Sequence, residues 1–96
     1  MQLSERNRVL IEYLKPFQPQ RIGIFGSYAR GEQSKDSDLD VLVNLNSEIS
    51  LLDLVRMERE LTEILGIKVD LVTEGSLQNP KLRDYILDDL DVIFDA

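Results

Sequence analysis

The sequence contains no cysteine and no histidine among its 96 residues. The lack of cysteine excludes disulfides, zinc–thiolate sites and thiol nucleophiles. The lack of histidine excludes a Ser-His-Asp triad, a histidine-ligated metal and the usual general base with a pKa near neutrality. Any acid–base or metal chemistry must therefore depend on carboxylates, and the chain has 18 of these side chains against 11 lysines and arginines.

The charge balance and the absence of long apolar runs narrow the class of protein further. A net charge of −7 argues against direct nucleic-acid binding, because a phosphate backbone attracts clustered lysine and arginine. No apolar run approaches the roughly 20 residues that a membrane helix needs, and no signal peptide is recognisable. We therefore expect a cytoplasmic protein without membrane contact, with one domain over residues 1–96 and one modest core.

Apolar periodicity, capping residues and turn residues predict alternating helices and strands. The Ser50…Asp53 capping box and the Asn79-Pro80 pair mark two helix starts. The predicted helices span residues 3–14, 51–65 and 80–88 with a single turn at 27–30, and the predicted strands span 21–25, 38–45, 67–73 and 91–94. The apolar positions on the two later helices are Leu51, Leu54, Val55, Leu61 and Leu65, and Leu82, Ile86 and Leu87. This order predicts a small α/β (α+β) fold with a single mixed β-sheet of about four strands and helices packed on it.

A Gly-Ser pair follows the first apolar strand directly. Gly26 would let the backbone approach a phosphate group closely, and the N–H groups of the next turn with the Ser27 hydroxyl would hold its oxygens. The same pair also fits an ordinary strand-to-helix turn. The spacing from Gly26 to Gly31 matches a P-loop only in part, since Glu32 and Gln33 replace its lysine and hydroxyl residue.

Two aspartates, Asp38 and Asp40, open the second strand and are expected on one face of it, because strand side chains alternate. The neighbouring Asp36 completes a resemblance to the start of a calcium loop, but Val41 and Ser47 stand where that loop needs glycine and glutamate. A solvated strand edge would explain the two aspartates without a metal. Asp40, however, lies inside an apolar run, where an unpaired carboxylate is costly and a divalent cation would remove the cost.

A third aspartate, Asp70, is the only charged residue in the interior of the next predicted strand, Val69-Asp70-Leu71-Val72. If the two strands are neighbours, three carboxylates meet on one patch, and such a cluster needs protonation or a cation. Hard oxygen ligands suit Mg²⁺ bridged to nucleotide phosphates. The joint arrangement therefore predicts a nucleotide-handling centre.

These residues resemble a known superfamily. Gly26-Ser27, ten further residues, Asp38-Leu39-Asp40 and a later strand aspartate at Asp70 are similar to the nucleotidyltransferases related to DNA polymerase β. The fuller runs Phe25–Gly31, Ser37–Asp40 and Lys68–Val72 resemble the smallest branch, the minimal nucleotidyltransferases of the MNT or MntA type. The resemblance covers nearly the whole chain and implies the polymerase β-like nucleotidyltransferase fold.

The resemblance also implies roles for individual residues. Gly26 and Ser27 would bind the triphosphate of ATP, Asp38 and Asp40 would hold two Mg²⁺ ions, and Asp70 would ligate the catalytic metal and help activate an incoming hydroxyl. Beyond these, Arg30 lies one turn after Ser27. It could contact the phosphates or a partner, or equally form a salt bridge to Asp36 or Asp38.

The resemblance implies a partner as well. Family members pair with a small helical HEPN ribonuclease toxin and transfer AMP from ATP to a tyrosine of that toxin, which neutralises it. An alternative is a non-catalytic antitoxin that neutralises the toxin by binding alone. Transfer to a small molecule is disfavoured, because nothing in the chain remains to build an acceptor pocket. An acceptor is therefore expected on another molecule.

Overall fold

The computed structural model describes residues 2–96. Its elements alternate as predicted, and two short 3₁₀ turns at Lys15–Phe17 and Glu74–Ser76 join them. The helices are α1 (Leu3–Leu14), α2 (Ser27–Arg30), α3 (Leu51–Leu65) and α4 (Pro80–Asp89), and the strands are β1 (Pro19–Phe25), β2 (Leu39–Leu45), β3 (Val69–Thr73) and β4 (Asp91–Asp95).

The predicted helix starts are confirmed by their caps. The Ser50 side chain accepts a hydrogen bond from the Asp53 N–H, and Asp53 accepts one from the Ser50 N–H, which completes the capping box of α3. Asn79 accepts from the first N–H groups of α4, and Pro80 follows it at the first helical position. These side chains satisfy N–H groups that the first turn of a helix leaves without partners.

The four strands form one mixed sheet in the order β3-β2-β1-β4. Strand β1 is antiparallel to both β2 and β4, whereas β2 and β3 are parallel and are connected by α3. The predicted mixed sheet is confirmed, and so is the expectation that β2 and β3 are neighbours. The strand limits differ slightly from the prediction, because β1 begins at Pro19 and β3 at Val69.

Helices α1 and α3 cover one face of the sheet. That face carries Val41 and Leu71 of the central and edge strands, and the helices bury apolar side chains such as Leu10 and Leu61 against it. The prediction for α3 was wrong at two positions, since Leu51 and Val55 are exposed and Met57 is fully buried. At about 100° per residue, Val55 lies about 120° from the centre of the row Met57, Leu61 and Leu65. Leu51 is the first residue of the helix and stays exposed in its first turn.

The opposite face of the sheet is covered more sparsely. Leu42 is buried there, and the side chain of Leu90 at the end of α4 lies so close to Gly23 that any Cβ at this position would overlap it. Of the apolar positions predicted on α4, Ile86 is buried and Leu82 is about half exposed. Because α4 covers only part of this face, the end of the sheet where β2 and β3 begin remains open. Among residues 2–96, no helix is long and apolar enough to cross a membrane.

Candidate active site

The candidate site lies on the open part of the second face, where β1 ends and β2 and β3 begin. Asp40 is the register partner of Phe25 on one side and of Asp70 on the other. Residues that are paired across neighbouring strands project to the same face of a sheet. The structure therefore brings Asp40 and Asp70 together, as the sequence predicted, and sets both beside the corner where β1 ends.

Gly26 forms that corner with backbone angles of φ 76° and ψ −153°, a combination that residues other than glycine rarely adopt. A Cβ at this position would overlap Oδ2 of Asp40. The Gly26 carbonyl accepts hydrogen bonds from the N–H groups of Ala29 and Arg30, each at 3.1 Å. The Gly-Ser corner and the candidate metal ligand Asp40 are thus in direct contact.

The N-terminal end of α2 has free donors beside this corner. In the described part of the chain, the N–H groups of Ser27 and Tyr28 have no backbone acceptor, and no side chain caps the turn. The first N–H groups of a helical turn are generally left for an external acceptor. The Tyr28 side chain is partly buried and packs against the main core.

The electrostatic field at Asp40 disfavours its charged form. Partial burial raises the pKa of the Asp40 carboxyl, and the negative charges of Asp70 and then Asp38 raise it further, whereas Arg30 acts in the opposite direction. Burial and like charges both penalise an ionised carboxylate. Asp70 and Asp38 are therefore both near enough to repel the Asp40 carboxylate, and a divalent cation would relieve that repulsion.

Asp38, predicted as the first residue of the second strand, lies just before β2, which begins one residue later at Leu39. Its Oδ2 atom is 3.7 Å from Nζ of Lys68; the Lys68 side chain is largely exposed and that of Asp38 is partly exposed. The adjacent backbone is fixed, since the Leu39 N–H donates to the Lys68 carbonyl at 2.8 Å. Lys68 thus stands at the margin of the cluster as a solvated lysine.

The three carboxylates have the chemistry that a hard cation requires, although they are not arranged to ligate one ion together. Among residues 2–96, no three acidic side chains lie close enough as arranged to ligate one ion. Asp38, Asp40 and Asp70 nevertheless share one patch and offer only carboxylate oxygens. The negative charges of Asp70 and Asp38 raise the pKa of Asp40. Carboxylate oxygens with positions left for phosphate and water are what Mg²⁺ sites use.

Arg30 binds neither of the two carboxylates that the sequence suggested as salt-bridge partners. Its Nη1 donates to Oδ2 of Asp89 at 2.6 Å, and its Nε donates to Oε2 of Glu32 at 3.1 Å. The salt bridge to Asp36 or Asp38 was therefore wrong, because the side chain extends toward the end of α4 instead. The guanidinium still lies near enough to lower the pKa of Asp40, so Arg30 borders the site.

Sequence reasoning missed Glu58 of α3. Burial raises the pKa of the Glu58 carboxyl. The hydrogen bond that this carboxyl accepts from the Leu71 N–H lowers its pKa, and the nearby Asp70 carboxyl raises it again. Glu58 is spaced like any polar residue of an amphipathic helix, so no sequence signal marks it. Only the packing of α3 against β3 brings it to Asp70.

The chain matches the nucleotidyltransferase domain family over residues 7–93. That match includes the Gly-Ser corner and all three aspartates. The chain belongs to this family. The resemblance to nucleotidyltransferases is thereby confirmed, and the protein is a nucleotidyltransferase.

Two archaeal relatives are similar over most of the chain. MJ1217 of Methanocaldococcus jannaschii, a predicted protein adenylyltransferase, is 44% identical over 92 residues, which cover 92% of this chain and 94% of the relative. The protein adenylyltransferase MntA of Thermococcus cleftensis is 44% identical over 68 residues, 71% of this chain and 69% of that protein.

A solved structure shares the fold of this nucleotidyltransferase. It contains the tri-AMPylated HEPN toxin of Shewanella oneidensis in complex with an MNT antitoxin. The match has a TM-score of 0.79 and 20% identity, and covers 97% of this chain and 72% of the other. At this level of identity the likeness establishes the architecture, which confirms the predicted α+β nucleotidyltransferase fold.

Proposed function

We propose that this nucleotidyltransferase is an Mg²⁺-dependent adenylyltransferase that transfers AMP from ATP to a tyrosine of a HEPN ribonuclease toxin and thereby neutralises it. The observation that carries the proposal is the pairing of Asp40 with Asp70 beside the Gly26 corner. It sets carboxylates next to a turn with free N–H donors. That combination suits a metal-bound triphosphate better than any other ligand class.

The relatives support a protein as the acceptor. One relative with 44% identity is named a protein adenylyltransferase, and the MNT antitoxin of the same fold is bound to a HEPN toxin that carries three AMP groups. The site here lies on an open part of the sheet face, where the Asp70 side chain is exposed. An acceptor hydroxyl presented by a separate protein would have access to it.

In the proposed reaction the acceptor oxygen attacks the α-phosphorus of ATP, the bond from that phosphorus to the β-phosphate oxygen breaks, and pyrophosphate leaves. Gly26 and Ser27 hold the triphosphate through backbone N–H groups and a hydroxyl, and Asp38, Asp40 and Asp70 would hold the cation. Bound Mg²⁺ supplies charge neutralisation on the phosphates and lowers the pKa of the nucleophile. A carboxylate oxygen of Asp70 takes the proton of the incoming hydroxyl. Protein groups otherwise position the reactants.

The test combines the chain with ATP labelled at the α-phosphate, Mg²⁺ and a HEPN protein from the same organism. We expect label on the partner, none with Asp40→Asn, and none in the presence of a chelator. Mass spectrometry of partner peptides would locate the AMP, and tyrosine is the expected residue. Tight complex formation without label transfer would instead support an antitoxin that acts by binding alone.

A further inference from the structure

Helix α3 covers the outer edge of β3 near Asp70 with polar side chains. The Val69 N–H donates to Oγ1 of Thr62 at 3.0 Å, and the Leu71 N–H donates to Oε2 of Glu58 at 2.8 Å. Because β3 is an edge strand, these two side chains replace the ladder partners that its outer N–H groups lack. A strand of another chain would have to displace both side chains, so this edge favours a partner that makes its contacts through side chains.

Two open grooves follow one another along this edge. The first, of about 540 Å³, is lined by Asp70 and by Arg59 of α3. The second, of about 340 Å³, is lined by Leu51 of α3 and Thr73 of β3. One turn of a helix rises about 5.4 Å and two residues of a strand rise about 6.6 Å, so the contacts of α3 advance along β3 at nearly the same rate. The second groove therefore continues the first away from the candidate active site.

The start of α3 presents apolar side chains to solvent beside the second groove. Leu51, Leu52 and Val55, which we call the α3 apolar patch, are 75%, 81% and 43% exposed. Residues three or four apart are neighbours on a helix surface, so Leu51 and Val55 lie on the same side of α3 as Glu58, which binds the edge of β3. Adjoining exposed apolar side chains of this size mark an interaction surface, whereas single ones do not.

The proposed reaction fixes the side from which the acceptor enters. Across the sheet, the Gly26 corner lies at the end of β1, Asp40 on β2 and Asp70 on β3. The pyrophosphate leaves toward the corner that holds the triphosphate, and the attacking and leaving oxygens lie roughly in line in phosphoryl transfer. The acceptor oxygen therefore arrives from the side of Asp70, which is also the side where the first groove opens.

We propose that the two grooves along β3 and the α3 apolar patch form the docking surface for the protein acceptor, whose tyrosine enters over Asp70. The inference rests on the proposed function. The acceptor is expected to contribute apolar side chains opposite Leu52 and Val55. A second copy of this chain is a poorer occupant, because a copy seated on this surface would cover the side from which the acceptor reaches Asp70.

The double variant Leu52→Gln/Val55→Gln tests the patch, and Ile64→Gln is its matched control. Glutamine is a good helix former and replaces apolar surface with a polar amide. Ile64 belongs to the same helix and is 54% exposed, but it lines a groove with Arg8 and Val9 of α1. Circular dichroism and urea unfolding should show the three proteins similarly folded, because all the altered side chains are exposed.

The first readout is AMP transfer to the HEPN protein of the assay above. We expect the double variant to raise the KM for the HEPN protein by about 10-fold, the effect of losing one or two interface anchors. The KM for ATP and the kcat at saturating HEPN protein should stay within about 2-fold of the wild type, because the Gly26 corner lies on the far side of Asp40. A KM for the HEPN protein that is unchanged, or that rises equally in Ile64→Gln, would overturn the inference.

The second readout is crosslinking, which does not depend on transfer. Because the sequence contains no cysteine, Leu52→Cys and Ile64→Cys each provide a single thiol for a benzophenone photocrosslinker. We expect the HEPN protein to crosslink from position 52 and not from position 64. Crosslinking that is equal from both positions, or that occurs from position 64 alone, would contradict the proposed surface.

Calorimetric titration of the HEPN protein without ATP separates failure of this inference from failure of the proposed function. If the double variant binds about 10-fold more weakly than the wild type but the wild type transfers no AMP, the proposed function fails and the docking surface stands. If the wild type transfers AMP and the double variant matches it in binding and in KM, only the docking surface fails. A wild type that neither binds nor labels the HEPN protein overturns both. A wild-type dimer that the double variant dissociates would assign the patch to a second copy and overturn the docking surface.

Discussion

Oδ2 of Asp40 lies over Gly26 in the space that the Cβ of any other residue would occupy. The corner that we propose to bind the phosphates and the carboxylate that we propose to hold the cation are therefore in direct contact. A larger residue at position 26 would displace the Asp40 carboxylate. This contact, rather than the conformational freedom of glycine alone, makes Gly26 sensitive to substitution.

Gly26→Ala should lower the free energy of unfolding by about 1–3 kcal/mol, because the backbone angles are unfavourable for alanine. It should also abolish transfer, because the new methyl group displaces Asp40. Gly31→Ala is the matched control, since Gly31 also has a positive φ, of 70°, but has open space where a Cβ would stand. We expect a cost of about 1 kcal/mol there and near-normal activity. Urea unfolding and AMP transfer measure the two effects, and equal losses of activity would refute the contact argument.

Asp40→Asn should abolish transfer and stabilise the protein in the presence of a chelator. The folded-state pKa of Asp40 is raised, so the folded chain binds the proton more tightly than the unfolded chain. Stability contributed by this group is therefore lost as the pH rises from the unfolded pKa, about 3.9, through the higher folded pKa. The Asn variant lacks this loss.

Urea unfolding in the presence of a chelator should show Asp40→Asn as the more stable protein near neutral pH, with the difference vanishing below about pH 4. Added Mg²⁺ should raise the melting temperature of the wild type and leave that of Asp40→Asn unchanged, because ligand binding to the folded state stabilises it. An Asn variant less stable than the wild type at neutral pH would contradict the clustered-carboxylate arrangement.

Arg30→Ala should raise the KM for ATP by about 10-fold, the value of one charge-assisted hydrogen bond, if the guanidinium exchanges Asp89 for a phosphate. Asp89→Ala breaks the same ion pair but keeps the guanidinium. It should leave the KM unchanged or lower it, because Arg30 no longer has to leave a carboxylate. Steady-state kinetics on both variants decides the point. A KM that rises equally in both would make Arg30 a structural tie between α2 and α4.

Tyr13→Phe should lower stability by a small constant amount up to neutral pH and should change its pH dependence only in the alkaline range. Tyr13 donates to Oε1 of Glu60 at 2.8 Å and so joins α1 to α3. Burial first, and then this hydrogen bond, raises the pKa of Tyr13 to about 12. The contribution is present below the unfolded pKa of about 10 and is lost as the pH rises through the folded value.

The wild type should therefore lose stability between about pH 10 and 12 more steeply than Tyr13→Phe. At neutral pH the variant should be less stable by about 0.5–1 kcal/mol, the contribution of one exposed hydrogen bond. Urea unfolding across this pH range measures both effects. Parallel alkaline curves for the two proteins would show that Glu60 does not hold the phenol.

The sequence predicted most of the fold because its signals are local. The Ser50–Asp53 box and the Asn79-Pro80 pair fix helix starts through contacts two or three residues apart, and such contacts form wherever the helix forms. The error at Val55 has the opposite origin. Which side of α3 faces the sheet depends on the whole row that includes Met57, and a window of a few residues does not show this.

The candidate site divides in the same way. The aspartates and the Gly-Ser corner stood out because charge inside an apolar strand, and glycine at its end, are visible in the chain itself. Glu58 and the Asp89 partner of Arg30 were not visible, since α3 and α4 carry many exposed carboxylates of the same appearance. A contact between residues 59 positions apart, such as that of Arg30 with Asp89, produces no periodic pattern in the sequence.

What the sequence determined by itself was the chemistry available, carboxylates without histidine or cysteine, and the alternation of strands that carry those carboxylates. What only the tertiary structure decided was the strand register that pairs Asp40 with Asp70 and the packing of α3 that brings Glu58 to the same place. The physical reason is the distance along the chain over which each feature is determined. Side-chain type and local periodicity are properties of neighbouring residues, whereas register and helix rotation are fixed only when the whole core is buried at once.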